Sequence, residues 1–281
     1  MTPLGHLDAF TPPARSLAFA FLGQVGIALR GPDGVIYIDP YLTDYGWLLP
    51  DGGVHRLPRV YPPVLAPVDV HDATAVLITH DHADHFDPET IGGMRQRHPD
   101  LLVYGSYRCR DTHPDTPLTV VPALEPFTIG SARVTPVPSA HSELNGSPRG
   151  YPCYGYVIEW NGVTVYHAGD TLIYGETPEL PGGLLGVLGR WRIDVAFLPA
   201  NGGDYFRIHR EENAIEPNMS FREAVDLAAA LDVRLLVPTH TDMFAFNTDN
   251  PAFLVDYALR TAPRLGLKML YPGELHCHVN W

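Results

Sequence analysis

The 281-residue sequence predicts one α/β domain, residues 1–281, in which two packed β-sheets carry helices on their outer faces. Three observations support this. Apolar runs of strand length recur along the chain between turns rich in Gly and Pro. Several runs end at a histidine or an aspartate: His80, His141, Asp170 and His240. Later segments combine helical periodicity with helix-start signals. Strand ends that converge on one sheet edge can gather such distant residues into one cavity.

The elements follow in order. Residues 17–22, 26–29 and 35–38 read as three short strands, and Gly31-Pro32-Asp33-Gly34 is a hairpin turn. Residues 41–72 form a long irregular insertion, the kind of segment that rims a site. A strand over 75–79 leads into a histidine-rich loop. A helix then starts with Asp87 as N-cap and Pro88 at its first position. Residues 101–104 are a further strand, and 118–137 alternate as antiparallel strands. Residues 154–160, the turn Asn161-Gly162 and residues 163–166 form a β-hairpin. Residues 195–198 are a buried strand. Ser220 and Glu223 form a capping box for a helix over 220–231, with Phe221, Ala224, Val225, Ala228 and Leu231 on one face. Residues 235–237 are a strand, 251–259 a helix and 269–271 a late strand.

Composition bounds the function. With 45% hydrophobic residues the chain can fill a large core. A net charge of −13 argues against a nucleic-acid backbone as partner, which needs a basic surface. Cys109, Cys153 and Cys277 are odd in number and lack C-x-x-C spacing, so they read as thiols rather than a disulfide framework. The start of the chain has no basic n-region, and residues 17–22 are too short to cross a bilayer. A cytoplasmic protein without a membrane segment is expected.

The chemistry concentrates in Thr79-His80-Asp81-His82-Ala83-Asp84-His85. Imidazoles and carboxylates at this spacing, in a loop directly after a buried strand, suit zinc, manganese or iron. The pattern H-x-H-x-D-H resembles the metal-binding signature of the metallo-β-lactamase superfamily. His141, Asp170 in His-Ala-Gly-Asp, and His240 match its later positions in the same order. The resemblance implies a four-layer αββα sandwich with the site at one edge. It implies two divalent cations, one held by His80, His82 and His141 and the other by Asp84, His85 and His240, with Asp170 bridging. It also implies hydrolysis by a metal-activated water, with Asp84 and Asp170 as catalytic residues; Asp84 orients the nucleophile or donates a proton where it does not ligate. Oxygen-reducing di-iron relatives carry an acidic residue where His82 stands, so histidine favours hydrolysis.

The C-terminal third is similar to the branch that holds the L-ascorbate-6-phosphate lactonase family, through Asn201-Gly202-Gly203-Asp204-Tyr205-Phe206-Arg207, Asn218-Met219-Ser220 and Pro238-Thr239-His240-Thr241-Asp242. N-acylphosphatidylethanolamine phospholipase D is a more distant likeness. The expected substrate is a small anionic ester, in the first place a lactone such as L-ascorbate 6-phosphate. Asn201, Asp204, Arg207 and His209, with Arg210, are candidate substrate contacts, because a guanidinium suits a phosphate or carboxylate. Gly202 and Gly203 allow close backbone approach. The branch makes a homo-oligomer an expectation. Two alternatives stay open: a phosphodiesterase using the same cations, and a metal-binding protein without catalysis. His167, beside the Gly-Asp of the bridging motif, is expected to support the site from behind. His276 and His278 are expected to be structural residues of a strand.

Overall fold

The computed structural model describes residues 7, 9–48, 53–141, 144, 147–202, 218–245 and 250–280. Two seven-stranded sheets pack face to face. The strands are β1 (Ser16–Gly23), β2 (Gly26–Gly31), β3 (Gly34–Ile38), β4 (Trp47–Leu48), β5 (Val54–His55), β6 (Ala73–Leu77), β7 (Leu102–Gly105) and β8 (Thr119–Val120) in the first half. The second half adds β9 (Phe127–Ile129), β10 (Ala132–Pro138), β11 (Tyr154–Trp160), β12 (Val163–His167), β13 (Val195–Pro199), β14 (Leu235–Thr239), β15 (Gly266–Leu267) and β16 (Leu275–Val279). The first sheet runs β16-β1-β2-β3-β6-β7-β8 and the second β15-β14-β13-β12-β11-β10-β9. Helices α1 (Pro88–Arg97), α2 (Tyr107–Thr112), α3 (Gly183–Leu188), α4 (Phe221–Ala230) and α5 (Pro251–Thr261) complete the frame.

The strands alternate between two apolar environments, so both sheets are buried on both faces. Phe19, Ile27, Ile36, Leu77, Val134, Tyr156, Val165, Phe197 and Val237 meet in the core between the sheets. Their neighbours point outward. On the second sheet Val157, Tyr166, Ala196 and Leu236 meet α3, α4 and α5 through Leu184, Val225 and Leu254. On the first, Ala20, Ala28, Tyr37 and Val76 meet Ile91 and Met94 of α1. The result is the αββα layering expected.

Local chemistry accounts for most boundaries. Asp87 caps α1 by accepting from the Thr90 N–H at 3.0 Å, ahead of Pro88. Asn161 and Gly162 both hold positive φ, 50° and 74°, as a tight turn between β11 and β12 requires. At Gly31 a Cβ would lie 2.1 Å from the Trp160 ring, so the β2–β3 turn needs glycine for space. The capping box of α4 is complete: Ser220 accepts from the Glu223 N–H, and the Glu223 carboxylate accepts from the Ser220 N–H at 2.8 Å. Ser220→Ala is expected to lower unfolding stability by about 1 kcal/mol, read from urea denaturation.

Two expectations are corrected. Residues 118–137 do not form one antiparallel set: β8 pairs parallel with β7 in the first sheet, while β9 and β10 pair antiparallel with each other in the second. The late strand lies at Gly266–Leu267 rather than 269–271, because parallel pairing with Leu235 and Leu236 selects those residues. The short helices α2 and α3 had no clear periodic signal. The insertion at 41–72 is mainly irregular, with the small β4–β5 hairpin and a 3-10 turn at Pro67–Asp69.

Candidate metal centre

Strand direction explains why the motif residues meet. β10 and β12 flank β11 antiparallel, so both run the same way, and β12, β13 and β14 are mutually parallel. Their C-terminal ends therefore lie on one edge of the second sheet. His141 follows β10, Asp170 follows β12, Asn201 follows β13 and His240 follows β14. The loop after β6 brings the signature from the first sheet. Two hydrogen bonds clamp the sheets together there: Tyr154 N–H to Thr79 O at 2.9 Å and Tyr156 Oη–H to Ile78 O at 2.7 Å.

Among the described residues, three sets of side chains place their ligand atoms within 4.8 Å of one another: His80, His82 and His141; Asp84, His85 and His240; and His80, His85 and Asp170. Asp170 lies between the first two sets. Its carboxylate is 3.7 Å from His141 Nε2, 3.5 Å from His85 Nε2 and 3.2 Å from His240 Nε2. The cluster is almost wholly buried, with His80 1% and His85 0% exposed. His80 Nε2, His85 Nε2 and Asp170 Oδ1 are buried without a hydrogen-bond partner. Orphaned donor atoms of this type, converging in pairs of three-residue sets, fit divalent cations. Asp81 is not part of the cluster and faces Arg108 at 3.8 Å.

Burial and mutual charge divide the imidazoles. Loss of solvent, reinforced by neighbouring imidazoles, holds His80 well below the usual histidine range. Burial likewise lowers His82 and brings His141 down to about 3. His85 and His240 go the other way. Burial opposes their charge, but Asp170 and Asp84 outweigh it, lifting His240 and raising His85 well above the ordinary value. Burial would raise Asp170 too, yet His240 and His85 hold its carboxyl well below the usual range. Burial thus favours the neutral imidazole in the first set, while the two carboxylates favour the charged form of His85 and His240 in the second.

Two supporting residues escape motif reading. Asp39, fully buried after β3, accepts from His85 Nδ1 at 2.8 Å, from the Thr79 N–H at 2.8 Å and from Thr79 Oγ1–H at 2.6 Å. It turns His85 Nε2 toward the centre. Gln24, in the β1–β2 loop, donates from Nε2 to Asp84 Oδ2 at 2.6 Å. The one signal for Asp39 was an aspartate closing an apolar strand, the same pattern that marks the other site residues. Gln24 carried no signal of that kind. His167 is buried and bonds to backbone: Nε2 donates to Val25 O at 2.8 Å and Nδ1 accepts from the Gly169 N–H at 3.2 Å. His276 sits in β16 against the Phe19 ring, with centroids 5.1 Å apart.

The insertion contributes a wall. Tyr61 donates to Asp242 at 2.9 Å and accepts from the Gln24 N–H at 3.3 Å. Arg59 spans the carbonyls of Tyr41 and Thr43. A cleft of about 490 Å³ opens over this segment, lined by Arg56, Arg59, Tyr61 and Asp44 among others. Of the candidate substrate contacts, Asn201 is buried just after β13, the strand between β12 and β14, which lead to Asp170 and His240. Gly202 does need glycine, since a Cβ would lie 1.8 Å from Asn218 O. Asp204, Arg207, His209 and Arg210 lie outside the described residues. No disulfide joins Cys109, Cys153 or Cys277. Among the described residues no helix is long and apolar enough to cross a membrane.

Comparison with known proteins agrees with this geometry. A UPF0173 metal-dependent hydrolase of Thermococcus kodakarensis is 27% identical over 263 residues, covering 90% of this chain and 96% of its own. Igni18, a metallo hydrolase of Ignicoccus hospitalis, superposes with a TM-score of 0.66 at 19% identity, covering 95% of this chain and 100% of its own. An isothiocyanate hydrolase from Delia radicum gut bacteria gives 0.69 at 16%, covering 94% and 100%. At these identities the two solved structures speak for the fold alone. A family model described as the β-lactamase superfamily domain matches residues 35–241, a span that runs from β3 through His240. The chain therefore belongs to the metallo-β-lactamase superfamily.

Proposed function

We propose that residues 1–281 act as one metal-dependent hydrolase domain that opens a small anionic ester, in the first place a lactone such as L-ascorbate 6-phosphate. The observation that carries the reading is Asp170: one buried carboxylate within 3.7 Å of imidazoles from both three-residue sets. In this reading His80, His82 and His141 would hold one cation and Asp84, His85 and His240 the other, with Asp170 placed between the two sets. Zinc or manganese suits these ligands, and iron is compatible. Bound cations supply Lewis acidity to the attacking water and to the oxygen of the scissile bond.

The chain's own residues do the rest. Asp84 and Asp170 are the acidic groups at the reacting centre. Asp84 Oδ2 is positioned by Gln24, and Asp170 is balanced by His85 and His240. Burial of these side chains lets their charges act through a lower dielectric than bulk water. Asn201 lies at the same sheet edge, and Asp204, Arg207 and His209 remain candidate contacts. The name of the Thermococcus relative supports hydrolysis as the reaction class.

The test is hydrolysis by the manganese-loaded protein of L-ascorbate 6-phosphate lactone and of bis(p-nitrophenyl) phosphate, side by side. Metal-dependent opening of the lactone with little diester cleavage is expected. Preferential diester cleavage would make the protein a phosphodiesterase. Turnover of neither, with metal fully bound, would leave a metal-binding protein without this catalysis.

A further inference from the structure

One edge of the two sheets differs from the others. β8 and β15 are two residues long and β9 is three, and short edges of this kind template no further strand. β16 runs five residues, Leu275-His276-Cys277-His278-Val279, and pairs with β1 along its whole length without a bulge. It carries no proline, lysine or carboxylate, the residues that guard a long edge against pairing. Among the described residues no strand lies beyond it.

The hydrogen bonds to β1 fix which backbone groups face outward. Asn280 N–H donates to Arg15 O at 2.8 Å, and Phe21 N–H donates to Glu274 O at 3.1 Å. An antiparallel ladder bonds through alternate residues. The backbones of His276 and His278 therefore face β1, and those of Leu275, Cys277 and Val279 face away from the sheet. Side chains alternate as well. Leu275 packs in the outer layer with Ala18 and Ala20, while His276 turns inward onto the Phe19 ring. Cys277 is exposed.

This row is complementary to itself about Cys277. Laid antiparallel on a second copy across a two-fold axis, Cys277 faces the partner's Cys277 and Leu275 faces the partner's Val279. Every outward N–H then meets an outward C=O. His276 faces the partner's His278, and burial lowers both imidazoles, so they meet uncharged near neutral pH. Glu274 faces the partner's Asn280 and is already paired with Lys268. In a chain of net charge −13, a stretch without unpaired carboxylates is where two copies can approach. At the turn leading into β16, Tyr271 is 78% exposed, an aromatic side chain of the kind that interfaces bury.

We propose that two copies of this chain pair through β16 across a two-fold axis at Cys277, which joins their first sheets into one continuous sheet. The pairing lies outside the metal centre and does not depend on the substrate.

The experiment is analytical ultracentrifugation of the full-length protein, with hydrogen exchange of the amides in β16 followed across a dilution series. The wild-type chain is expected to sediment as a dimer. The amides of Leu275, Cys277 and Val279 should exchange slowly in the dimer and speed up as it dissociates. Cys277→Ala keeps every backbone bond and should keep the dimer. Cys277→Lys sets like charges on strands about 5.5 Å apart at the axis, and should raise the dissociation constant about a hundredfold or more. The side chain is exposed within one copy, so circular dichroism should stay native. If it does not, the exchange of the wild-type amides decides. A monomer at every concentration overturns the proposal and leaves the edge to an extended segment of a different protein. A dimer whose three outward amides exchange no more slowly than in the monomer, or one that a folded Cys277→Lys leaves intact, overturns it by placing the contact elsewhere.

Discussion

Asp170→Asn is expected to reduce metal-dependent hydrolysis by a thousandfold or more, roughly 4 kcal/mol of transition-state stabilisation. The side chain keeps its shape, so the fold should survive. What changes is charge. Asp170 is the carboxylate in reach of His141, His85 and His240 together. An amide there can present one oxygen and one NH2 group, and so cannot serve both sets of ligands. Loss of the negative charge also removes what holds His85 and His240 in their raised state. Bound metal should fall below two equivalents per chain while circular dichroism stays native. Wild-type turnover in this variant would remove the bridging carboxylate from the mechanism.

The second large effect is expected away from the reacting atoms, at Asp39. This carboxylate accepts three hydrogen bonds with no exposure to solvent. Asp39→Asn would turn one of its oxygens into a donor facing other donors. The stability cost is about 1–3 kcal/mol, the penalty for a buried polar group left without its partner. His85 would lose the acceptor that orients its ring, so affinity at the Asp84/His85/His240 position should drop by about 10- to 100-fold. The His80/His82/His141 position should keep its affinity. Differential scanning calorimetry and Zn²⁺ titration check the two parts separately, and equal weakening of both positions would contradict the assignment of Asp39 to His85.

Much of this was legible in the sequence because strand ends and site residues coincide. The runs leading to His141, Asp170 and His240 point the same way in the second sheet, and the loop after β6 meets that edge, so one edge collects residues up to 160 positions apart, from His80 to His240. Helix starts were legible where caps are local, as at Asp87 and Ser220. What was not legible depends on partners distant in sequence. β8 joins the first sheet because Gly105 offers its carbonyl to Val121, a choice invisible in the alternation of residues 118–137. β15 is set by the exposed edge of β14, and 269–271, equally apolar, lies beyond that pairing. Gln24 is a polar residue in a tight loop, and only the approach of β14 and the loop after β6 gives it a role. The insertion at 41–72 was expected at a rim; among the described residues its Tyr61 meets the Gln24 N–H and Asp242 beside the site, a pairing that no local pattern announces.

The central claim is a pair of cations held at one sheet edge. Anomalous diffraction at the zinc absorption edge, on crystals of zinc-saturated protein, tests it most directly. The account predicts two peaks, one among His80, His82 and His141 and one among Asp84, His85 and His240, with the Asp170 carboxylate between them. No peak at this edge, or a lone peak bound by other residues, would contradict it.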